Sequence, residues 1–324
     1  MTIPEMRLCE IAPERYAARV LPVTAQLWRG RRSVDLYMEQ TLEIARSAYG
    51  RRSYRTVGLF DGANLLASLK RYDRTIHLRG RRIRAVGIGA VFTPPEFRGR
   101  GYASAMLGLL LDRLRADGCD AAYLFSDIRP RFYADIGFVE LPSRSISVRS
   151  AALPAERIAL GSLEERDWSG VRRCFEAVES KRPWGFERSP IVWDWLRMRI
   201  RHGSEHTSGQ ATNLVLRRGR RVAAYVLGAR DPAHEAYVMD EFGYADDDAR
   251  ALIPSLLRTA AGDLRRITGW LPPEPARDLL ARGSVRRRKD AILMIAPLAP
   301  LGRELVQLAR APSTGDGVWC SDHI

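Results

Sequence analysis

Lysine is nearly missing from this chain. Only Lys70, Lys181 and Lys289 are lysines, so almost all of the net charge of +14 rests on arginine. A bias that uniform reads as coding composition more simply than as recognition, and the charge is scattered. The tight clusters, Arg29–Arg32, Arg79–Arg82, Arg217–Arg221 and Arg286–Lys289, fall at expected turns. No aromatic residues interleave them as a stacking platform requires, so nucleic acid is not the expected partner. Cysteine is scarce too. Cys9, Cys119, Cys174 and Cys320 lie far apart and form no CxxC or Cys/His cluster, which argues against a disulfide framework and against a metal site. No uninterrupted apolar run is long enough to cross a bilayer. The opening stretch MTIPEMRLCEIAPER carries acids and prolines in place of a basic-then-apolar leader. The expected location is the cytoplasm, with no membrane partner.

What is present is ordinary globular material: 324 residues, 46% hydrophobic and 28% charged, enough for two domains. The most informative stretch runs from Ile83 to Glu140. Ile83–Phe92 is short, apolar and rich in small and β-branched residues, a buried strand. Thr93-Pro94-Pro95-Glu96 stops it, since proline neither donates to a ladder nor tolerates helix before it. Arg98-Gly99-Arg100-Gly101 turns the chain, and from Ala103 the apolar residues Ala103, Leu107, Leu110, Leu111 and Leu114 fall at helical spacing. Gly118 closes that helix. Ala121–Phe125 predicts a second buried strand and Pro130–Ile136 a short helix ended by Gly137.

A strand, a glycine turn and a helix N-terminus together suit a phosphate group. The first amides of a helix lack intrahelical partners and carry the positive end of its dipole. Glycine lets the backbone come close, and Arg98 and Arg100 add charge. Alone, such a turn is also a tight connection with solvated arginines. Two signatures sharpen it: Arg98-x-x-Gly101-x-Ala103, and beyond the second strand Phe132-Tyr133-x-x-x-Gly137-Phe138. In this order, on these elements, they resemble the acetyl-CoA-binding core of the GNAT acetyltransferase superfamily, over roughly the first 150 residues.

Around this core the pattern predicts a strand at Arg7–Ile11, helices at Pro13–Val20 and Val34–Ala48, and strands at Arg55–Phe60 and Asn64–Arg71 about the Asp61-Gly62 turn. A further strand is expected at Thr75–Leu78, and Val139–Val148 is expected to complete the first unit. After a linker at Ser150–Ala155 the order of elements repeats. Helices are expected at Trp168–Glu179 and Ser189–Ile200, and strands at Thr212–Leu216, Arg221–Gly228 and Ala236–Phe242. A long helix at Asp247–Ala261 should kink or start late at Pro254. A strand at Arg265–Trp270, a short helix at Pro273–Arg282 and a final strand at Ala291–Ala296 follow. The expected class is α/β (α+β): two tandem GNAT-like units, each a mixed central sheet flanked by helices, plus a short tail. The expected division is 1–150, 151–299 and 300–324.

The second unit lacks the phosphate chemistry. Its turn reads Phe242-Gly243-Tyr244-Ala245-Asp246-Asp247-Asp248, and aspartates there cap the helix while repelling a pyrophosphate. An active unit followed by a degenerate one is similar to the enhanced-intracellular-survival (Eis) type of acetyltransferase. In that type a third, sterol-carrier-like domain sends its terminal carboxylate into the first unit's site. Here only a helix at Leu301–Arg310 and PSTGDGVWCSDHI follow Leu298, with Trp319 as an apolar anchor. The resemblance to this subgroup is compatible with homo-oligomers.

The resemblance implies acetyl-CoA as co-substrate, its pantetheine arm pairing with the backbone at Val91, Phe92 and Thr93. An amide there would face the developing oxyanion. It implies Arg98, Gly99, Arg100, Gly101, Tyr102, Ala103 and Ser104 as the pyrophosphate turn, and Ser126 and Asp127 as polar contacts. Gly87 and Gly89 allow a close approach or only tight packing. Tyr133 is the expected general acid, protonated at pH 7 with an ordinary pKa of about 10; its other reading is an aromatic wedge between Phe132 and Phe138. Ala85–Phe92 has no carboxylate to act as base, so the candidates are the Ile324 carboxylate, a water chain, Glu39 or Glu43. Neither His77 nor His323 is expected to act. The expected activity is acetyl transfer to a primary amine of a small molecule or protein by direct attack. The alternative is a non-catalytic acyl-CoA-binding, sensing or interaction protein.

Overall fold

The computed structural model describes residues 6–30, 32–128, 130–156, 158–203 and 210–324. Residues 1–5 of the opening stretch and Arg31 of the first basic cluster lie outside these. The chain begins with β1 (Arg7–Ile11), α1 (Pro13–Arg19), α2 (Leu21–Trp28), α3 (Val34–Arg46) and α4 (Ala48–Ser53). It continues through β2 (Tyr54–Asp61), β3 (Asn64–Leu78), β4 (Arg81–Phe92), α5 (Tyr102–Ala116), β5 (Ala121–Ser126), α6 (Arg131–Ala134), β6 (Val139–Glu140) and β7 (Arg144–Arg149). The second half contains β8 (Leu160–Ser162), α7 (Trp168–Glu179), β9 (Trp184–Phe186), α8 (Pro190–His202), β10 (Gln210–Ala211), β11 (Leu214–Arg218), β12 (Arg221–Asp231) and β13 (Ala236–Tyr244). It ends with α9 (Asp247–Ala251), α10 (Ile253–Ala261), β14 (Arg266–Trp270), β15 (Ser284–Arg287), β16 (Ile292–Pro297) and α11 (Pro300–Arg310).

Local chemistry explains most boundaries. The Ser33 and Ser47 side chains cap α3 and α4 by accepting from Leu36 N and Gly50 N. The expected helix Val34–Ala48 therefore ends at Arg46, and a separate short helix follows. Pro254 divides the expected Asp247–Ala261 helix, because proline suits only a first turn. Thr75–Leu78 is the far end of the 15-residue β3, and α2 was not expected. Pro273–Arg282 yields only a 3-10 turn at Arg277–Leu280. Arg288 is not simply solvated either: its guanidinium carbon lies 3.6 Å from the Trp270 ring centre.

Two sheets of eight strands each form among the described residues, in the orders β1-β2-β3-β4-β5-β16-β6 and β15-β7-β14-β13-β12-β11-β8, with β9 added to β3 and β10 to β12. Both are mixed: β4 runs parallel to β5, and β13 to β14. Two strands are exchanged between the halves. Of the segment Val139–Val148, expected to complete the first unit, Val139–Glu140 stays in the first sheet as β6, while Arg144–Arg149 pairs with β14 and β15 in the second. The last strand, expected in the second unit, pairs with β5 and β6 in the first. Both segments are short, and periodicity encodes which face is buried but not which partner is chosen. Trp184–Phe186 also pairs with the outer end of β3, burying Trp184 and Phe186 among Ile76, Leu78 and Leu293. Fully burying a side chain of this kind contributes roughly 2–3 kcal/mol, so the halves share a core. No helix of the described residues is long and apolar enough to cross a membrane.

Candidate active site

The first sheet opens at its centre. β4 and β5 pair only from Ala85↔Ala121 to Gly87↔Tyr123, and beyond that both strands continue without each other. On its other edge β4 bulges. Ser68 pairs with Phe92 and Lys70 with Gly89, so Ala90 and Val91 together face Leu69. Ala90 sits at φ 47°, a left-handed conformation that costs an alanine about 1–2 kcal/mol. Strained backbone at a cleft is a feature of ligand sites. Here it leaves the stretch Ala90–Thr93, including the expected positions Val91, Phe92 and Thr93, on an edge that β5 does not cover. An extended amide chain can add to such an edge as a strand does.

Below the cleft mouth the glycine turn has the geometry that phosphate binding needs. Gly99 and Gly101 hold φ 75° and 80°, and Gly101 is the N-cap of α5 without any side-chain cap. The first intrahelical bond is Ala105 N to Gly101 O at 2.9 Å, so the amides of Tyr102, Ala103 and Ser104 remain available. Arg98 Nε donates to Thr93 O at 3.1 Å, bracing the turn, and Arg98 and Arg100 are exposed at its rim. This arrangement fits a pyrophosphate. The matching helix of the second half does not: the Asp246 side chain accepts from Ala249 N at 2.8 Å and pairs with Arg218, occupying the place with a carboxylate.

Ser126 and Asp127 are engaged within the fold. Ser126 Oγ donates to Ile128 O at 2.9 Å, and Asp127 Oδ1 accepts from Ala291 N at 2.9 Å, holding the start of β16. Tyr133 is buried beside the α5 side of the sheet, with Phe132 and Phe138 edge-on to its ring at 4.9 and 6.0 Å. Burial, helped by Asp127, pushes its phenol up to about 12.

On the opposite face the tail arrives. Gly87 and Gly89 are indeed sites of close approach, and the approaching group is Ile324. A Cβ on Gly87 would lie 2.4 Å from Ile324 Cδ1 and 2.7 Å from the Tyr123 hydroxyl. One on Gly89 would lie 3.7 Å from an Ile324 carboxyl oxygen. No cation lies within ion-pair distance of that carboxyl group among the described residues. Of the other carboxylate candidates, Glu39 is exposed on α3 and Glu43 bonds His202 and Arg201 at the surface. His77 faces Glu179 at 3.2 Å, and His323 packs edge-on against Phe125 and Trp270.

A buried charge network, missed in the sequence, routes the tail. Arg188 donates to both oxygens of Glu241 on β13 and to both oxygens of Asp322. Arg74 of β3 donates to Asp322 Oδ1 at 3.0 Å, and Arg199 Nη1 donates to His323 O at 2.6 Å. Burial opposes the charge on Asp322, but Arg188 and Arg74 outweigh it and hold this carboxyl below the usual carboxylate range. Trp319 anchors the segment against Phe242 at 5.1 Å. The tail thus covers the central strand of the second half before reaching that of the first. The sequence signal was the pair Asp240-Glu241, two adjacent carboxylates in an otherwise apolar strand.

Comparison with known proteins fits this geometry. Residues 25–140 match the family model described as an acetyltransferase (GNAT) domain. A protein of unknown function from Enterococcus faecalis, described as a probable N-acyltransferase, superposes with a TM-score of 0.69 at 14% identity, covering 95% of this chain and 75% of its own. A GCN5-related N-acetyltransferase from Anabaena variabilis gives 0.70 at 13% identity, with 92% and 74% covered. Eis1 from Mycobacterium abscessus gives 0.57 at 14% identity, with 90% and 74% covered. No curated protein matches the sequence. The fold is that of acyl-CoA-dependent acyltransferases. Residues 25–140 are recognised as a GNAT acetyltransferase domain, and the chain as a whole shares the fold of the structures it superposes on.

Proposed function

We propose that this protein is an acetyl-CoA-dependent N-acetyltransferase acting on a primary amine by direct attack in a ternary complex. The observation that carries the reading is the Ile324 carboxyl group against Gly89 of the bulged strand, a strand that has no carboxylate of its own. Acetyl-CoA supplies the activated acetyl group. The open amides of Tyr102–Ser104, with Arg98, Gly99, Arg100 and Gly101, hold its pyrophosphate; Val91, Phe92 and Thr93 pair with its arm, and Ser126 and Asp127 border it. The backbone at the Ala90 bulge orients the carbonyl. Ile324 takes the proton of the attacking amine. Tyr133, protonated because it is buried, delivers one to the departing sulfur. Tyr133 and Ile324 belong to opposite faces of the sheet, and the gap between β4 and β5 is where both can address one ligand.

In this reading residues 1–150 are the active unit, 151–299 the degenerate one and 300–324 the tail, as a division of chain that the two exchanged strands cross. The four free cysteines suit a cytoplasmic location. A non-catalytic acyl-CoA sensor is the alternative, favoured by the carboxylate-free strand Ala85–Phe92.

Calorimetry with acetyl-CoA, followed by turnover on an amine panel, tests the proposal. The expected result is one site per chain. Extending the chain by Gly-Ser after Ile324 should leave that binding intact and lower turnover at least tenfold. Binding without turnover on any amine would favour the sensor, and no binding would remove both readings.

A further inference from the structure

Past the outer end of β4 lies a cavity of about 470 Å³ between α1, α2, the β2–β3 turn and the Pro94–Phe97 segment. Its walls include Val20, Phe60, Leu65 and Phe92, and its rim carries Arg15, Arg19 and Glu96. It lies on the face of the sheet that receives Ile324. Phe92 pairs with Ser68 and Gly89 with Lys70, two residues apart on one strand and so on one face. From Gly89 to Phe92 is three residues, at most about 10 Å of strand. Gly89, against which Ile324 lies, is therefore about 10 Å along β4 from the Phe92 wall of the cavity.

The rim chemistry is specific. Arg15 and Arg19 stand one helical turn apart, and neither has a carboxylate partner among the described residues. Nearby acids are used by other arginines, Glu14 by Arg46 and Glu10 by Arg55. Arg15 lies over the Phe60 ring at 5.5 Å, and Arg19 is exposed. Two guanidiniums without a carboxylate partner at the edge of an apolar floor suit an amphipathic anion, and Glu96 on the same rim leaves an excess of one positive charge, which matches a monoanion better than a phosphate.

Resting on the acyl-transfer reading above, we infer that this cavity holds the acceptor, and that the acceptor is an apolar amino acid. Its carboxylate lies on Arg15 and Arg19, its side chain on Phe60, Leu65 and Phe92, and its amine points along β4 toward Ile324. The amine nitrogen forms the amide bond to the acetyl carbon as the C–S bond of acetyl-CoA breaks. The amine gives its proton to the Ile324 carboxylate, and the sulfur takes one from Tyr133.

The test is calorimetric titration of N-acetyl-L-phenylalanine and of N-acetyl-L-phenylalaninamide into the whole protein, with and without CoA. The acid should bind at least tenfold more tightly than the amide. The Arg15→Ala/Arg19→Ala double variant, altered only at exposed positions, should lose that preference and bind the amide as before. Equal affinities in the wild type, or failure of both to bind, would overturn the assignment. A parallel CoA titration keeps the outcomes separate: CoA binding with no acid preference rejects only the pocket. Absence of CoA binding rejects the transfer reading.

Discussion

Arg188 grips Asp322 through both carboxylate oxygens, Nε to Oδ1 at 3.1 Å and Nη2 to Oδ2 at 3.0 Å, with both side chains buried. The pair links the second half of the chain to the tail two residues before Ile324. A forked contact of this kind sets orientation as well as attraction.

Removing one partner of such a pair strands a buried charge. Asp322→Asn should destabilise the fold by about 3 kcal/mol in denaturant titration, and lower turnover because Ile324 loses its seat. The folded-state pKa of Asp322 is depressed, so its stabilisation is present above the unfolded carboxylate value of about 3.9. It is lost as pH falls through the lower folded value. The acid limb of the wild-type stability curve should therefore be shallower in the variant. Identical limbs would mean that Asp322 does not carry the linkage.

Gly87 and Gly89 separate packing from backbone freedom, since neither has a positive φ. Gly87→Ala drives a methyl to 2.4 Å from Ile324 Cδ1 and should cost about 1–3 kcal/mol. Turnover should fall with it as the tail is displaced. At Gly89 the nearest atom is Tyr72 Cε2 at 3.3 Å, so Gly89→Ala should be much milder in thermal unfolding. Equal effects at the two positions would contradict the tail's placement.

Lys70 is buried among aromatic rings, its Nζ 3.3 Å from the Tyr16 ring centre and donating to Thr56 Oγ1 at 2.6 Å. Burial lowers its pKa well below the ordinary lysine value. The folded state then releases a proton that the unfolded chain retains, so stability should rise with pH from that lowered value up to about 10.4. In Lys70→Met this rise should vanish, with stability at pH 7 equal to or above wild type. A persisting slope would assign it to other groups.

Tyr133→Phe keeps the ring packing against Phe132 and Phe138 and removes only the hydroxyl. Turnover should drop roughly a hundredfold or more, with acetyl-CoA affinity unchanged in calorimetry. Unimpaired turnover would leave Tyr133 as an aromatic wedge.

Much of the first half was legible in residue order because its determinants are local. Glycines at 99 and 101 suit positive φ, the two prolines after Thr93 stop a strand, and the spacing from Ala103 to Leu114 makes a helix face. The repeat was legible for the same reason, as was the break at Pro254, although the added helix α2 and the lost helix at Pro273–Arg282 depended on packing. The Asp246 cap was readable too, since capping is settled within three residues.

Partnership across the chain was not legible. The alternation in Arg144–Arg149 and the apolar run Ile292–Pro297 specify strands but not a sheet, and only the shared core decided that each would cross to the other half. The same holds for the tail. Its thirteen letters after Ala311 contain an apolar anchor and two aspartates, Asp316 and Asp322, but nothing local says that Arg188, Arg74 and Arg199 will converge on its last residues. The sequence by itself determined the glycine turn and the uncapped helix start that follows it, through short-range backbone preferences. The tertiary structure decided where the tail lies, because burying Arg74 and Arg188 requires counter-charges that only distant segments supply.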